Sequence, residues 1–156
     1  SVFIGYGAGT QASYSNNSLF IGSQSGAQSF FASHSNFLGY QAAYGQDSAS
    51  YSTIIGYGAG SNIDRDPSKF IGSNNIIVGT NVSLPYGYSN YINLGGLLFA
   101  SGTYFNTSNL SVSNSVMGRV GINKINPSFN FEVSTCLFKS LSTETPLEII
   151  SRISGV

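Results

Sequence analysis

The groups in this chain that could do chemistry are few, and their spacing decides what they can do. His34 is the only histidine, and it immediately precedes Ser35. A nucleophilic serine needs a base of this kind within reach. Serine is so abundant here, however, that the pairing carries no information, and His34 is expected on a turn or surface. Cleavage of a glycosidic bond usually needs two carboxylates about 5–9 Å apart. The candidates are Asp47, Asp64 and Asp66, with Glu132, Glu144 and Glu148 further along. Asp64 and Asp66 flank Arg65 and are followed by Pro67, a pattern that reads as a solvated turn. The chain lacks the dense oxygen donors that calcium demands, and "GYGAG" is not the spacing of a nucleotide-binding loop. Cys136 has no second cysteine to pair with and reads as a small buried hydrophobe. The sequons at Asn16, Asn81, Asn106 and Asn109 are what chance supplies in so Asn- and Ser-rich a chain. No catalytic residue, metal or cofactor is expected, and the chain is read as not being an enzyme. One weak ligand-binding candidate remains. Tyr6, Tyr40 and Tyr57 share a column of the repeat described below and could line a surface groove where aromatic rings stack on sugars, although packing or surface coverage is the commoner role.

Charged residues make up 8% of the 156, with six Lys+Arg balancing six Asp+Glu. A typical soluble domain carries about 25%. Without a basic patch the chain has no means of neutralising phosphates, which argues against nucleic acid and anionic membrane surfaces as partners. Disorder is also disfavoured, because 41% of residues are apolar and 13% aromatic. No apolar run is long enough for a membrane helix, and no signal peptide is visible. A start at Ser1 and a strand-like end, "LEIISRISGV", lead to the expectation of a piece of a longer or processed chain.

What must position these residues is a repeat. "SVFIG", "SLFIG", "SNFLG", "STIIG" and "SKFIG" begin at Ser1, Ser18, Ser35, Ser52 and Ser68. Gly5, Gly22, Gly39 and Gly56 are spaced by 17 and Gly72 follows by 16; "NIIVG" and "YINLG" then place Gly79 and Gly95. Small residues recur three or four positions after each glycine. So short a period cannot hold a helix pair; it suits one turn of a coil of β-strands, with rungs about 4.8 Å apart. Phe3, Phe20, Phe37, Ile54 and Phe70 are expected to form one stack. Ile4, Ile21, Leu38, Ile55 and Ile71 are expected to form the next, on the opposite face. The adjacent "FI" means that both faces seek burial, one inside the coil and the other against something outside it, for which another copy of the chain is the natural choice. Glycines at the corners supply positive φ. Stacking in register also explains the missing charge, since like charges would recur within about 5 Å up a column, whereas Ser, Asn and Gln can hydrogen-bond along it.

The units Ser-x-Phe-Ile-Gly-Tyr-x-Ala-Gly resemble the head repeats of trimeric autotransporter adhesins of the YadA-like type, and still more the related repeats of bacteriophage tail fibres. "YINLGGLLFASG" at Tyr91–Gly102 is similar to the segment that closes such arrays. "GRVGINKINPSFNFEVS" at Gly118–Ser134 resembles a further fibre element through Gly118, Val120, Gly121, Ile122, Pro127, Phe131 and Val133. Asn123 stands where that element usually has glycine, so its turn is expected to differ. The resemblance covers about residues 1–134. It implies an all-β fold: a homotrimeric left-handed parallel β-roll of 16–17-residue rungs, followed by an intertwined β-rich stalk.

The expected divisions are a roll over 1–96, a connector over 97–117 and a stalk segment over 118–156. "DRDP" reads as an exposed loop, and "SLPYGYSN" at Ser83–Asn90 as a protruding turn. Gly5, Gly22, Gly39, Gly56 and Gly72, with the two stacks, make up the expected repeat core and trimer packing. The resemblance implies a structural and adhesive segment of a homotrimeric tail fibre that attaches a virion to its host. Its partners would be its own copies, other fibre or tail components, and a host-surface glycan or protein. A bacterial surface adhesin is the alternative. A carbohydrate-active tailspike is further off, and an ice-binding solenoid last, because Thr10, Thr80 and the other threonines form no ladder.

Overall fold

The computed structural model describes residues 1–102 and 118–134. Six short strands, β1 (Val2–Ile4), β2 (Leu19–Ile21), β3 (Asn36–Leu38), β4 (Thr53–Ile55), β5 (Ile76–Val78) and β6 (Tyr91–Leu94), lie side by side in chain order. All five of their ladders are parallel. Parallel neighbours in sequence order require the chain to circle back between strands, so the coil expected from the period is what forms. Strand β6 then turns through Gly95 and Gly96 into an antiparallel partner, β7 (Leu98–Ser101). Strand β8 (Arg119–Ile122) pairs antiparallel with β7, and β9 (Phe131–Val133) parallel with β8. The sheet therefore does not stop at residue 96. The first residues expected in the connector form a strand, and the start of the expected stalk continues the same nine-stranded sheet.

Register places each side chain on its counterpart. The middle residue of each strand points into the coil: Phe20, Phe37, Ile54 and Ile77 are fully buried. The Phe3 ring lies 4.9 Å from that of Phe20, which lies 4.6 Å from that of Phe37. These separations are the rung spacing itself. Small residues fill the rest of the interior, with Ala32, Ala42, Ala43, Ala49 and Ala59 completely buried. Phe3, on β1, is 45% exposed.

The serine that opens each unit ties the rungs together. The Ser35 and Ser52 amides donate to the hydroxyls of Ser18 and Ser35, both at 3.2 Å. Those two hydroxyls in turn donate to the Ala32 and Ala49 carbonyls at 2.6 and 2.8 Å. Each buried hydroxyl is thus satisfied as donor and acceptor, which removes the cost of burying it. Asn75 inherits the position. Its amide N–H donates to Ser52 Oγ and its Oδ1 accepts from the Tyr91 amide.

One expected rung is displaced. Phe70, Ile71 and Gly72 of "SKFIG" are not in a strand; the partner of β4 is "IIV", with Ile54 opposite Ile77 and Ile55 opposite Val78. A step of seven residues from Gly72 to Gly79 cannot complete a turn of the coil, so only one of the two segments can occupy the rung. The β-branched run Ile76–Val78 is the better strand former, whereas Pro67 starts a 3-10 turn over Pro67–Lys69 that takes the chain out of the ladder. The 23 residues from Gly56 to Gly79 thus hold one rung and an excursion. Phe70 is half-buried, and Ile71 enters the core from the loop, its amide donating to Oε1 of the buried Gln46 at 3.0 Å. Gly72 pairs with the Tyr88 carbonyl rather than stacking on Gly56.

Gly5, Gly22, Gly39, Gly56 and Gly79 form the invariant corner, with φ from 127° to 146°. A Cβ on Gly5 would lie 2.6 Å from the carbonyl carbon and oxygen of Gly22, and one on Gly39 would strike the carbonyl of Gly56. Backbone occupies the space on both counts, so no side chain is tolerated. Gly39→Ala is expected to destabilise the fold by at least about 2 kcal/mol. Gly87→Ala, at φ 73° with nothing within 4 Å of the new methyl, should cost only about 1 kcal/mol. Urea titrations of the two variants check this; equal losses would mean that stacked carbonyls do not set the corner.

Candidate functional site

Two kinds of surface column arise from the same stacking. The first is aliphatic. Residues flanking the buried middle of each strand point away from the coil and line up as Ile4, Ile21, Leu38, Ile55, Val78 and Leu94. Ile4 is 55% exposed and Leu94 38%, with Val2 and Ile76 also exposed on that face. Side chains on successive strands of a parallel sheet merge into a continuous apolar stripe, and a folded chain does not leave such a stripe in water without consequence.

The second surface is polar and aromatic and follows the glycine corner. Tyr6, Tyr40 and Tyr57 do share one register: the carbonyls of Tyr6, Ser23, Tyr40 and Tyr57 accept in turn from the amides of Gln24, Gln41, Gly58 and Asn81, each one residue past its counterpart in the following rung. Tyr40 and Tyr57 stack at 5.1 Å. Ser23 fills the intervening rung, so Tyr6 stands apart from them, 84% exposed. Beside them run glutamines that sequence reasoning left unremarked, although Gln11 and Gln28, and Gln24 and Gln41, are each separated by the 17-residue period. All four have positive φ, between 53° and 59°. The Gln41 side-chain amide donates to Gln24 Oε1 at 2.8 Å. Between the glutamines and Tyr6 lies a groove of about 410 Å³, and a second, of about 390 Å³, lies beside Gln41, Tyr57 and Asn81.

A third cluster stacks Tyr14 on Phe31 and His34 on Tyr51, with centroids 5.3 and 4.9 Å apart. The His34 ring contacts the Asn17 side chain at 3.2 Å on an exposed corner. Ser35, its neighbour, is buried with its proton committed to Ala49. The pair does not assemble as nucleophile and base.

The carboxylates lie outside both columns. Asp64 and Asp66 sit on the exposed excursion, where Lys69 approaches them at 3.4 and 3.8 Å. Asp66 caps the 3-10 turn, its Oδ1 accepting from the Ser68 hydroxyl and amide. Those bonds, ahead of the nearby Lys69 charge, hold its carboxyl below the ordinary value of 3.8. Glu132 accepts from the Ser128 amide and pairs with Lys124 at 3.1 Å, and the same contacts lower its pKa, the amide bond foremost. Asn123 adopts φ 54°, so the turn expected to change for want of a glycine keeps a left-handed residue. Among the described residues there is no cluster of three or more metal-ligating side chains, and no helix is long and apolar enough to cross a membrane. Cys136, Glu144, Glu148, Asn106, Asn109, most of the expected connector and the later part of the expected stalk lie outside the described residues.

Searches against family models, curated proteins and solved structures found no match for this chain.

The lowered Asp66 pKa has a definite sign. The folded loop binds the ionised carboxylate better than the unfolded chain does, so its contribution is present above the unfolded value and is lost as pH falls through the folded one. The Ser68 amide resonance is expected to titrate with a midpoint below 3.8, while the Gly39 amide is indifferent. A midpoint at or above 3.8 would show that the cap does not hold the charge.

Proposed function

We propose that this chain is a structural and adhesive segment of a homotrimeric fibre, a bacteriophage tail fibre that attaches a virion to its host, and that it performs no chemistry. The observation that carries the reading is the outward aliphatic column on β1–β6, set beside a nearly uncharged surface. A stripe of Ile, Leu and Val along the coil needs a partner of the same height and periodicity, and a second and third copy of the coil supply both. Closed rotational symmetry satisfies every copy equally and leaves no sticky face over. The resemblance of the repeats and of the two later motifs to trimeric fibre and adhesin heads supports three as the number, with left-handed winding and strands of the stalk shared among the chains. A bacterial cell surface is the alternative location for the same architecture. The remaining partners are neighbouring fibre or tail components and a host-surface glycan or protein.

The carboxylates argue in the same direction. The close pair, Asp64 and Asp66, is tied to Lys69 on an exposed loop; Asp64 lies at the wall of the second groove and is matched there by that lysine rather than by a second free carboxylate.

Light scattering is expected to give three times the chain mass of 16.4 kDa. Replacing Ile21 and Leu38 together by Lys should abolish assembly, because stacked like charges would face each other across the axis. A monodisperse 16.4 kDa species from the unaltered chain would sink the proposal.

A further inference from the structure

The first groove beside the glycine corner is built of a combination that the fibre reading does not use. Its walls are Tyr6, Thr10, Gln11, Gln24, Gln28 and Tyr44. No charged side chain lines it. Gln11 and Gln28 make no side-chain hydrogen bond to the described residues, and Gln24 uses only its oxygen, towards Gln41. Each free primary amide offers two donors and a carbonyl acceptor in one plane, a pattern that matches adjacent hydroxyls on a ring, each of which both gives and takes a proton. The Tyr6 ring is 84% exposed and presents a flat apolar face of the size of a pyranose ring.

The face also has a direction. The second groove carries Gln41, Tyr57 and Asn81 at equivalent positions of later rungs. The only charges there, Lys69 and Asp64, lie 3.4 Å apart and offset each other. An amide and an aromatic ring thus recur along the coil, with Tyr57 three rungs from Tyr6, roughly 14 Å at the spacing of about 4.8 Å per rung. A ligand that exploits it must be an extended polymer of neutral polar rings. An anion would meet only Lys69, which is already paired with Asp64, and an apolar ligand would strand the amides without partners.

The geometry points to this face as a binding groove for a neutral polysaccharide, laid along the coil with pyranose rings against Tyr6 and Tyr57 and hydroxyls on Gln11, Gln24, Gln28 and Gln41. This deepens the attachment reading and rests on it: it makes the lateral wall of the fibre, rather than a tip, a place where the host surface is held. Tyr40 serves by stacking on Tyr57, which keeps that ring upright. The backbone at Gln24, Gln28 and Gln41 is fixed by rung-to-rung hydrogen bonds, as where Gln28 N–H donates to Thr10 O at 2.7 Å. Binding then has only side chains left to order.

The test is calorimetric titration of the whole chain with four neutral pentasaccharides (cellopentaose, maltopentaose, laminaripentaose and chitopentaose), a galacturonic acid pentamer and a neutral Ser-Gly peptide. At least one neutral pentasaccharide should bind, and the acidic pentamer and the peptide should not. Tyr6→Ala removes an exposed ring, and Gln28→Gly suits the positive φ, so both variants should keep the wild-type circular dichroism. Each is expected to weaken binding about tenfold, equivalent to about 1.4 kcal/mol. The inference is overturned if none of the neutral sugars binds, if the peptide binds in their place, or if both variants bind like the parent. Mass measured on the same samples separates the two proposals. A trimer without sugar binding overturns only this one, and sugar binding by a monomer overturns only the trimer.

Discussion

A side chain in this coil stands on the matching side chain of the rung beneath it, at a separation fixed by the backbone hydrogen bonds between parallel strands. Almost everything else follows from that spacing. Phe3, Phe20 and Phe37 stack because their rings are about as far apart as the strands that carry them. The glycine corner exists because the carbonyl of the next rung already occupies the place of a Cβ. Charge is scarce because a charged column would repel itself at every level, while a serine hydroxyl can accept from one neighbour and donate to another.

The same rule explains how the repeat survives an interruption. Between Gly56 and Gly79 the chain is longer than one turn, and the surplus leaves through the Asp64–Lys69 excursion without disturbing the ladder on either side. Gln46 and Asn75 make this possible. Buried where shorter side chains stand in other rungs, each reaches across the altered path, Gln46 to Ile71 and Gly60, Asn75 to Gly72, Tyr88 and Tyr91. Longer amides replace serine where the backbone has moved away. Further on, Asn93 occupies the buried column opposite Ile77 and satisfies itself on Ser83 and Gly96 as the sheet turns antiparallel.

The two outer columns divide the work that the surface can do. The aliphatic column gains by being covered, and the assembly proposed above covers it with further copies of the same coil. The Tyr and Gln columns remain polar and ring-bearing, with amides that the fold has not used. A single stacking rule thus yields both an aliphatic column and a patterned wall of rings and amides.

How much of this was legible in the sequence follows the range of the forces involved. Period, corner glycines, buried Phe column and outward Ile column could be read directly, since each is a local pattern multiplied by stacking. Tyr40 on Tyr57 and the exposed "DRDP" loop were equally plain. The place of "SKFIG" was not, because two segments with nearly the same pattern compete for one position beside β4. Only the path of the whole loop, with Ile71 held by Gln46 and Gly72 by Tyr88, decides between them. Nor could the sequence show that Ser23 isolates Tyr6, that the unused amides of Gln11, Gln24 and Gln28 converge on one groove, or that Leu98–Ser101 turns back as an antiparallel strand. The sequence by itself determined which residues stack, because a repeat carries its own register. The tertiary structure alone decided where the repeat breaks and which side chains meet across rungs, because those depend on backbone paths that close over many residues.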